Sequence, residues 1–410
     1  MRCVPPAPAW PDSITSGAET LRATAAAGSG LSVLPSAADA ALEASLAALS
    51  AGNLDHADVA FVFVSGDAYA HAHELLHAVR RVTGARGVVG CSGTGVLSER
   101  AEVEGQTAVA VLAVRDERVV ATPFFLDDLA GAGEDAGSQL ATRVAETVLE
   151  SGSVIVMPDT NGLDARGLLR RFDDAVGFVP VIGAVAAGMP LFELYNTDAA
   201  QGGLAGLAVS GPEPTIGVAQ GCMPIGEPFV VTRADGNVVH TIGSRPALEI
   251  LKQAIETLPS AQERIQRAGV FAGLAMDPAK SPLERGDFLV RNLVGVDPSS
   301  GAIAVAENVR VGQTIQFQIR DAAAARQDLE STLVGVAKAL GGRRPLFGCY
   351  FNCAGRGRGL FRVPDHDVGL IRARLGDFPL AGFFGNGEFA PIGRRNFFHN
   401  YTGALVLFPA

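Results

Sequence analysis

"DVAFVFVSGDAYAHAHELLHAVRRVTGARGVVGCSGTGVL", residues 58 to 97, spells one supersecondary unit from end to end. It opens on a strand rich in β-branched and aromatic residues, passes through the helical pattern "AHELLHAVRRV" (72–82), and reaches a second strand that runs into a glycine-rich turn. "GQTAVAVLAV" (105–114) adds a further strand. The same order returns as "SVIVMPDT" (153–160), "ARGLLRRFDDAV" (165–176), "VPVIGAVAAG" (179–188) and "GGLAGLAVSG" (202–211), and a third time as "PLFGCYFNC" (345–353), "HDVGLIRARLG" (366–376), "FPLAGFFGNGEFAP" (378–391) and "YTGALVLF" (401–408). Three copies of one layout predict repeated βαββ units. Hairpins accompany the strand–helix alternation, so the expected class is α/β with mixed, partly α+β sheets, packed together with helices outside.

Between the second and third copies, "PFVVTRADGNVVHTI" (228–242) reads as a hairpin around Asp235 and Gly236, and "RPALEILKQAIETL" (245–258) as an amphipathic helix. More strands follow, and a helix from Asp321 to Leu340 leads into the last copy. Gly and Pro cluster from Gly221 to Pro228, which suggests a boundary between two associated domains, 31–225 and 226–410. Residues 1–30, rich in Ala, Pro, Ser and Thr without a basic head and apolar stretch, are expected to be a flexible lead-in rather than a signal peptide.

The chain has 410 residues, 48% hydrophobic and 19% charged, which suits two well-packed domains. A net charge of -10 argues against a nucleic-acid partner, since phosphates are gripped by clustered Lys and Arg. No apolar run reaches membrane-spanning length. Five scattered cysteines lack the spacing of a zinc ribbon or a disulfide framework and point to the reducing cytoplasm.

"HELLH" (73–77) matches the zinc-binding helix of metalloproteases. The sister copies carry "ARGLLRR" and "VGLIRAR" in the same slot, so the helix exists without the histidines. With Leu75, Leu76, Val79 and Val82 facing inward, His73 and His77 fall on the outer side, and no metal site is assigned. His71 adds a third imidazole that could capture metal adventitiously.

Better candidates lie at the glycine turns 90–95, 183–188 and 382–388, where missing side chains let backbone approach another group closely. That group is either a ligand or a packed neighbour. The first turn carries Cys91 and Ser92, the third Asn386 and Glu388, and the second only apolar residues. Upstream of the third turn, "CYFNCAGRGRG" (349–359) places Asn352 and Arg356 among glycines, where a guanidinium can clamp a carboxylate or phosphate. "RRNFFHNYTG" (394–403) sets His399 and Asn400 just before the last strand. The expected ligand-binding set is therefore Cys91, Ser92, Asn352, Arg356, Asn386, Glu388, His399 and Asn400, with Arg356 on a ligand carboxylate and Glu388 on an ammonium group. An enzyme using Cys91 or Cys353 as nucleophile, or Glu388 against His399, is the rival reading; a buried inert thiol is the commoner outcome.

At these residues the chain resembles the FIST family, built from an N-terminal and a C-terminal FIST domain. The resemblance rests on "GLSVLPSAADAALEASLAAL" (30–49), "VAFVFVSGD", "VVGCSGTGVLSE" (88–99), "FNCAGRGRG" (351–359), "LAGFFGNGEFAPIG" (380–393) and "HNYTG" (399–403), and covers about Gly30 to Phe408. It implies a sensory module that binds an amino acid or similar small anionic or zwitterionic metabolite and signals through a separate partner protein. It also allows haem as a cofactor, with no axial ligand that carries over to a histidine here.

Overall fold

The computed structural model describes residues 25–148, 152–258, 269–277 and 279–410. Within them the chain divides into two compact units: the larger takes the chain up to Val218, Leu329–Phe398 and Gly403–Ala410, and the smaller Ala219–Asp328 and His399–Thr402. The larger unit is thus discontinuous in sequence. Its border at Val218 lies close to the Gly/Pro-rich stretch, but the chain returns to it at Leu329.

In the larger unit the first copy runs β1 (Ala25–Ser32), α1 (Ala37–Gly52), β2 (Val59–Ser65), α2 (Ala72–Thr83), β3 (Gly87–Gly93), β4 (Gly95–Ser98), β5 (Glu102–Glu104), β6 (Ala108–Asp116). The second runs β7 (Val120–Leu126), α3 (Ala136–Val148), β8 (Gly152–Pro158), α4 (Ala165–Val176), β9 (Val181–Ala184), β10 (Glu193–Tyr195), β11 (Asp198–Ala200), β12 (Leu204–Ser210). The third opens with β13 (Thr215–Gln220). It resumes within α6 (Ala322–Leu340), at Leu329, and continues with β21 (Pro345–Cys353), α7 (Gly357–Phe361), α8 (His366–Leu375), β22 (Leu380–Gly385), β23 (Glu388–Ile392), β24 (Arg395–His399) and β25 (Thr402–Pro409).

Three six-stranded sheets result, and their strand orders correspond: β1-β6-β2-β3-β10-β11, β7-β12-β8-β9-β23-β24 and β13-β25-β21-β22-β4-β5. In each, two parallel strands joined by a helix sit at the centre, as β2 with β3, β8 with β9 and β21 with β22. The hairpin after each glycine turn leaves its own copy. That of the first copy pairs with β22, that of the second with β3, and that of the third with β9. The three sheets therefore exchange hairpins in a closed cycle.

The inner faces share one core, in which Phe63 lies 5.2 Å from Phe383 and 6.3 Å from Phe351 by ring centroid, alongside Ile155, Met157 and Ile182 of the second sheet. Helices cover the outer faces: α1 and α2 on the first sheet, α3 and α4 on the second. Strands buried on both faces read as continuous apolar runs, which is why β2 shows no alternation.

The expected lead-in over 1–30 falls mainly outside the described residues, as does Cys3. Its last part, from Ala25, is a correction: the run is strand β1, paired through eight positions with β6. Its small residues serve packing, since a Cβ on Gly28 or Gly30 would fall 2.1 Å from the carbonyl oxygens of Ala48 or Ala44 in α1.

The smaller unit contains β14 (Cys222–Asp235), β15 (Val238–Ile242), β16 (Arg245–Pro246), α5 (Ala247–Glu256), β17 (Val270–Ala275), β18 (Phe288–Asp297), β19 (Ala302–Val305) and β20 (Thr314–Arg320). Its sheet, ordered β14-β20-β17-β18-β19-β15-β16, closes through an added β14–β15 pairing. Ile250, Leu251 and Ala254 of α5 pack into its apolar core.

Candidate functional site

The expected residues of the third copy grow out of β21. Its alternate residues Cys349 and Phe351 enter the shared core, which turns Tyr350 and Asn352 to the opposite face. Past the end of the strand the backbone N–H of Arg356 donates to Cys353 O at 2.8 Å, and α7 carries the chain on to α8, whose first turn holds Asp367. Asp367 is the hub. Its carboxylate accepts from Arg356 Nε at 3.0 Å and Nη2 at 3.3 Å, Tyr350 Oη at 2.9 Å and Asn352 Nδ2 at 3.1 Å, and lies 2.8 Å from His366 Nδ1. The His366 ring stacks on Phe361 at 3.5 Å between centroids, and Phe361 also lies 5.4 Å below the Arg356 guanidinium.

The hairpin donated by the first copy completes the network. Glu102 Oε1 accepts from the backbone N–H groups of Asp367 and Val368, both at 2.9 Å, and so caps the N-terminus of α8. In return Glu102 N donates to Asp365 Oδ1 at 2.7 Å, and Arg358 N donates to Glu104 Oε1 at 2.9 Å.

Burial works against the charge on Arg356, but the Asp367 carboxylate beside it more than reverses that, so the guanidinium stays protonated. Burial likewise opposes ionisation of Asp367, and Arg356 with His366 overrides it and holds its pKa below the usual carboxylate range. Glu102 goes the other way: burial first, and then the Asp367 charge, push it up to about 8 despite its two N–H donors. Three buried atoms around this hub have no hydrogen-bond partner among the described residues: Arg356 Nη1, Asn352 Oδ1 and Glu102 Oε2.

The structure gathers Asn352 and Arg356 here and places the other expected residues elsewhere. Ser92 Oγ accepts from Phe192 N at 3.0 Å in the first sheet, and Cys91 pairs in register with Glu193. Burial, then the Glu193 carboxyl, raises the Cys91 thiol well above its ordinary value. Glu193 is itself pushed to about 9 by burial and by Asp159. Glu388 holds the position in β23 that Glu193 holds in β10, fully buried opposite Ala184. Asn386 is exposed in its turn. His399 and Asn400 group with the smaller unit, where Asn400 Oδ1 accepts from Arg291 Nη1 at 3.2 Å.

The glycine turns hold one another. Ala187 N donates to Ser92 O, Asn386 N to Val185 O and Thr94 N to Phe384 O, each at 3.0 Å, a closed three-way ring. The first glycine of each turn answers a close approach: a Cβ on Gly90, Gly183 or Gly382 would lie 1.7, 1.9 or 1.9 Å from the carbonyl oxygen of Val62, Val156 or Tyr350.

Sequence reasoning missed Asp367, Tyr350, His366 and Glu102 as members of the network. Polar Tyr350 and Asn352 on a strand otherwise apolar were one signal, and the acid in the first turn of "HDVGL" another; nothing local pointed to Glu102. Among the described residues no group of three His, Cys, Asp or Glu side chains could hold a metal ion, and no helix is long and apolar enough to cross a membrane.

The FIST N domain profile matches residues 58–245 and the FIST C domain profile residues 247–391. An uncharacterized protein of Mycobacterium tuberculosis is 36% identical over 345 residues, covering 82% of this chain and 87% of the relative. One of Mycobacterium bovis is 33% identical over 388 residues, 93% of this chain and 98% of the relative. Among solved structures, a cyanuric acid hydrolase from A. caulinodans aligns with 47% of this chain and 72% of its own at 10% identity and a TM-score of 0.27, too distant to bear on fold or activity.

Proposed function

The chain belongs to the FIST family of signal-transduction sensory domains, and from that premise we propose that it binds an amino acid or similar small anionic or zwitterionic metabolite at the Arg356–Asp367 network and signals through a separate partner protein. The observation that carries this reading is the set of three open atoms around one hub. A buried polar atom without a partner costs about 1–3 kcal/mol, so three in one network amount to a standing demand for a ligand's groups. A zwitterion answers it, with its carboxylate on Arg356 Nη1 and its ammonium on Asn352 Oδ1 and Glu102 Oε2.

All three atoms are out of reach of solvent, so binding has to displace something that covers them, and the candidate is the segment 357–365, whose Phe361 ring lies 5.4 Å from the Arg356 guanidinium. That segment is held under strain: Arg362 and Asp365 adopt left-handed backbone at φ 61° and 53°, at a cost of about 1 kcal/mol or more each. Its displacement is the change a partner reads, because a ligand shifts a conformational equilibrium only by preferring one state. The buried, scattered thiols Cys91, Cys222, Cys349 and Cys353 support a reducing cytoplasm as its location.

Calorimetry tests the reading. With Glu102 near a pKa of about 8, an arriving ammonium displaces its proton, so binding at neutral pH releases a proton and the heat depends on the buffer's ionisation enthalpy. Glu102→Gln is expected to abolish that proton release and weaken binding. Absence of binding across amino acids and small carboxylates, or binding that Glu102→Gln leaves unchanged, rejects the site.

A further inference from the structure

We propose that the outer face of α2 carries a second site, separate from the Arg356 network, for the phosphate group of a small phosphorylated molecule. The histidines of "HELLH" line a surface groove of about 430 Å³ together with Arg80, Arg81 and Thr197, the last from the turn between β10 and β11. That volume falls within the range of small-ligand sites. His73, His77 and Arg80/Arg81 follow one another at helical spacings of four and three to four, so their polar ends form one stripe two turns long.

The groove is cationic in a chain whose net charge is -10. Of the acidic groups on the helix and on elements packed against it, only Asp198 borders the groove, through the bond it accepts from Thr197. Glu74 lies 3.8 Å from His71, Asp198 accepts from Thr197 Oγ1 at 3.1 Å, and Asp39 and Glu43 of α1 line a different groove. None of them lines this one, and neither Arg80 nor Arg81 forms an ion pair among the described residues.

His73 Nδ1 lies 3.1 Å from Thr197 O. A carbonyl oxygen only accepts, so the ring proton sits on Nδ1 and Nε2 points away from that bond. Two imidazoles one turn apart could chelate a metal cation, but two uncompensated guanidinium groups beside them repel one and attract an anion. Phosphate suits the set better than carboxylate: a tetrahedral dianion offers enough oxygens for two guanidinium forks and an N–H of His77 at once.

The test is a titration of the full chain with inorganic phosphate and, separately, glycerol 3-phosphate, read by the imidazole proton resonances in NMR. His73 and His77 resonances are expected to move with saturation. Arg80→Gln/Arg81→Gln should weaken binding about tenfold or more, while Arg372→Gln, at an exposed side chain of α8, leaves it unchanged. Tighter binding of glycerol 3-phosphate supports a phosphorylated metabolite; tighter binding of inorganic phosphate overturns that identification. No resonance shift, unchanged affinity in a double variant whose melting temperature is retained, or binding of zinc in place of phosphate each overturns the site.

Discussion

Removing both members of the Arg356–Asp367 pair should cost well under the sum of removing each alone. The guanidinium is 0% exposed and the carboxylate 1%, so Arg356→Ala strands a buried carboxylate, at about 3–5 kcal/mol for a broken buried pair. Asp367 keeps its bonds from Tyr350, Asn352 and His366, which places this variant at the low end. Asp367→Ala strands the guanidinium and orphans the Tyr350 hydroxyl and the Asn352 amide as well, adding about 1–3 kcal/mol for each buried donor. The loss then reaches much of the roughly 5–15 kcal/mol that holds an ordinary domain. Arg356→Met/Asp367→Leu replaces both charges with apolar groups but still orphans the Tyr350 and Asn352 donors, so it should lose less than Asp367→Ala and well under the sum of the two single changes. Urea unfolding followed by circular dichroism measures all three, with the transition of the larger unit fitted separately from that of the smaller. Single variants that cost under about 1 kcal/mol, or a double variant whose loss is the sum of the two, would refute the account of a desolvated, mutually dependent pair.

The remaining predictions concern the same sheets. Glu102 is raised from 4.5 to about 8, so the folded chain keeps a proton that the unfolded chain releases; its contribution is complete below about pH 4.5 and is lost as pH rises towards 8. Glu102→Gln should flatten the fall in unfolding free energy over that window by on the order of a few kcal/mol, leaving the similar slope from Glu193, which extends to about 9; an unchanged slope counts against a buried Glu102. Gly382→Ala should cost about 3 kcal/mol, because the new Cβ meets Tyr350 O at 1.9 Å and only a parting of β21 from β22 relieves it. Gly369→Ala, in α8 with nothing within 4 Å, should instead gain about 0.5–1 kcal/mol, and melting temperatures that move in the same direction for both variants would contradict the packing described.

The sequence by itself determined what depends on neighbours along the chain. Period and composition mark β2, α2 and β3 and their two sister sets, and a replaced "HELLH" shows α2 to be structural, because burial on one face of a helix or both faces of a strand leaves a local pattern. The FIST resemblance was legible for the same reason: its motifs are short runs. Tertiary structure alone decided which sheet each hairpin joins, since β4, with β5 beyond it, pairs with β22 rather than with its own copy, and apolar edges of similar character accept either partner. It also decided the chemistry around Arg356. The residue was visible among glycines, yet whether it meets solvent or a carboxylate depends on Asp367 beyond a turn and on Glu102, 265 positions before Asp367. The Ala- and Gly-rich run at 25–30, expected to be part of a flexible lead-in, belongs to strand β1, because its small residues admit a helix whose closeness no local pattern reports. A contact between remote residues is set by how the whole chain closes, and side-chain type at one position carries no record of the partner that closure brings.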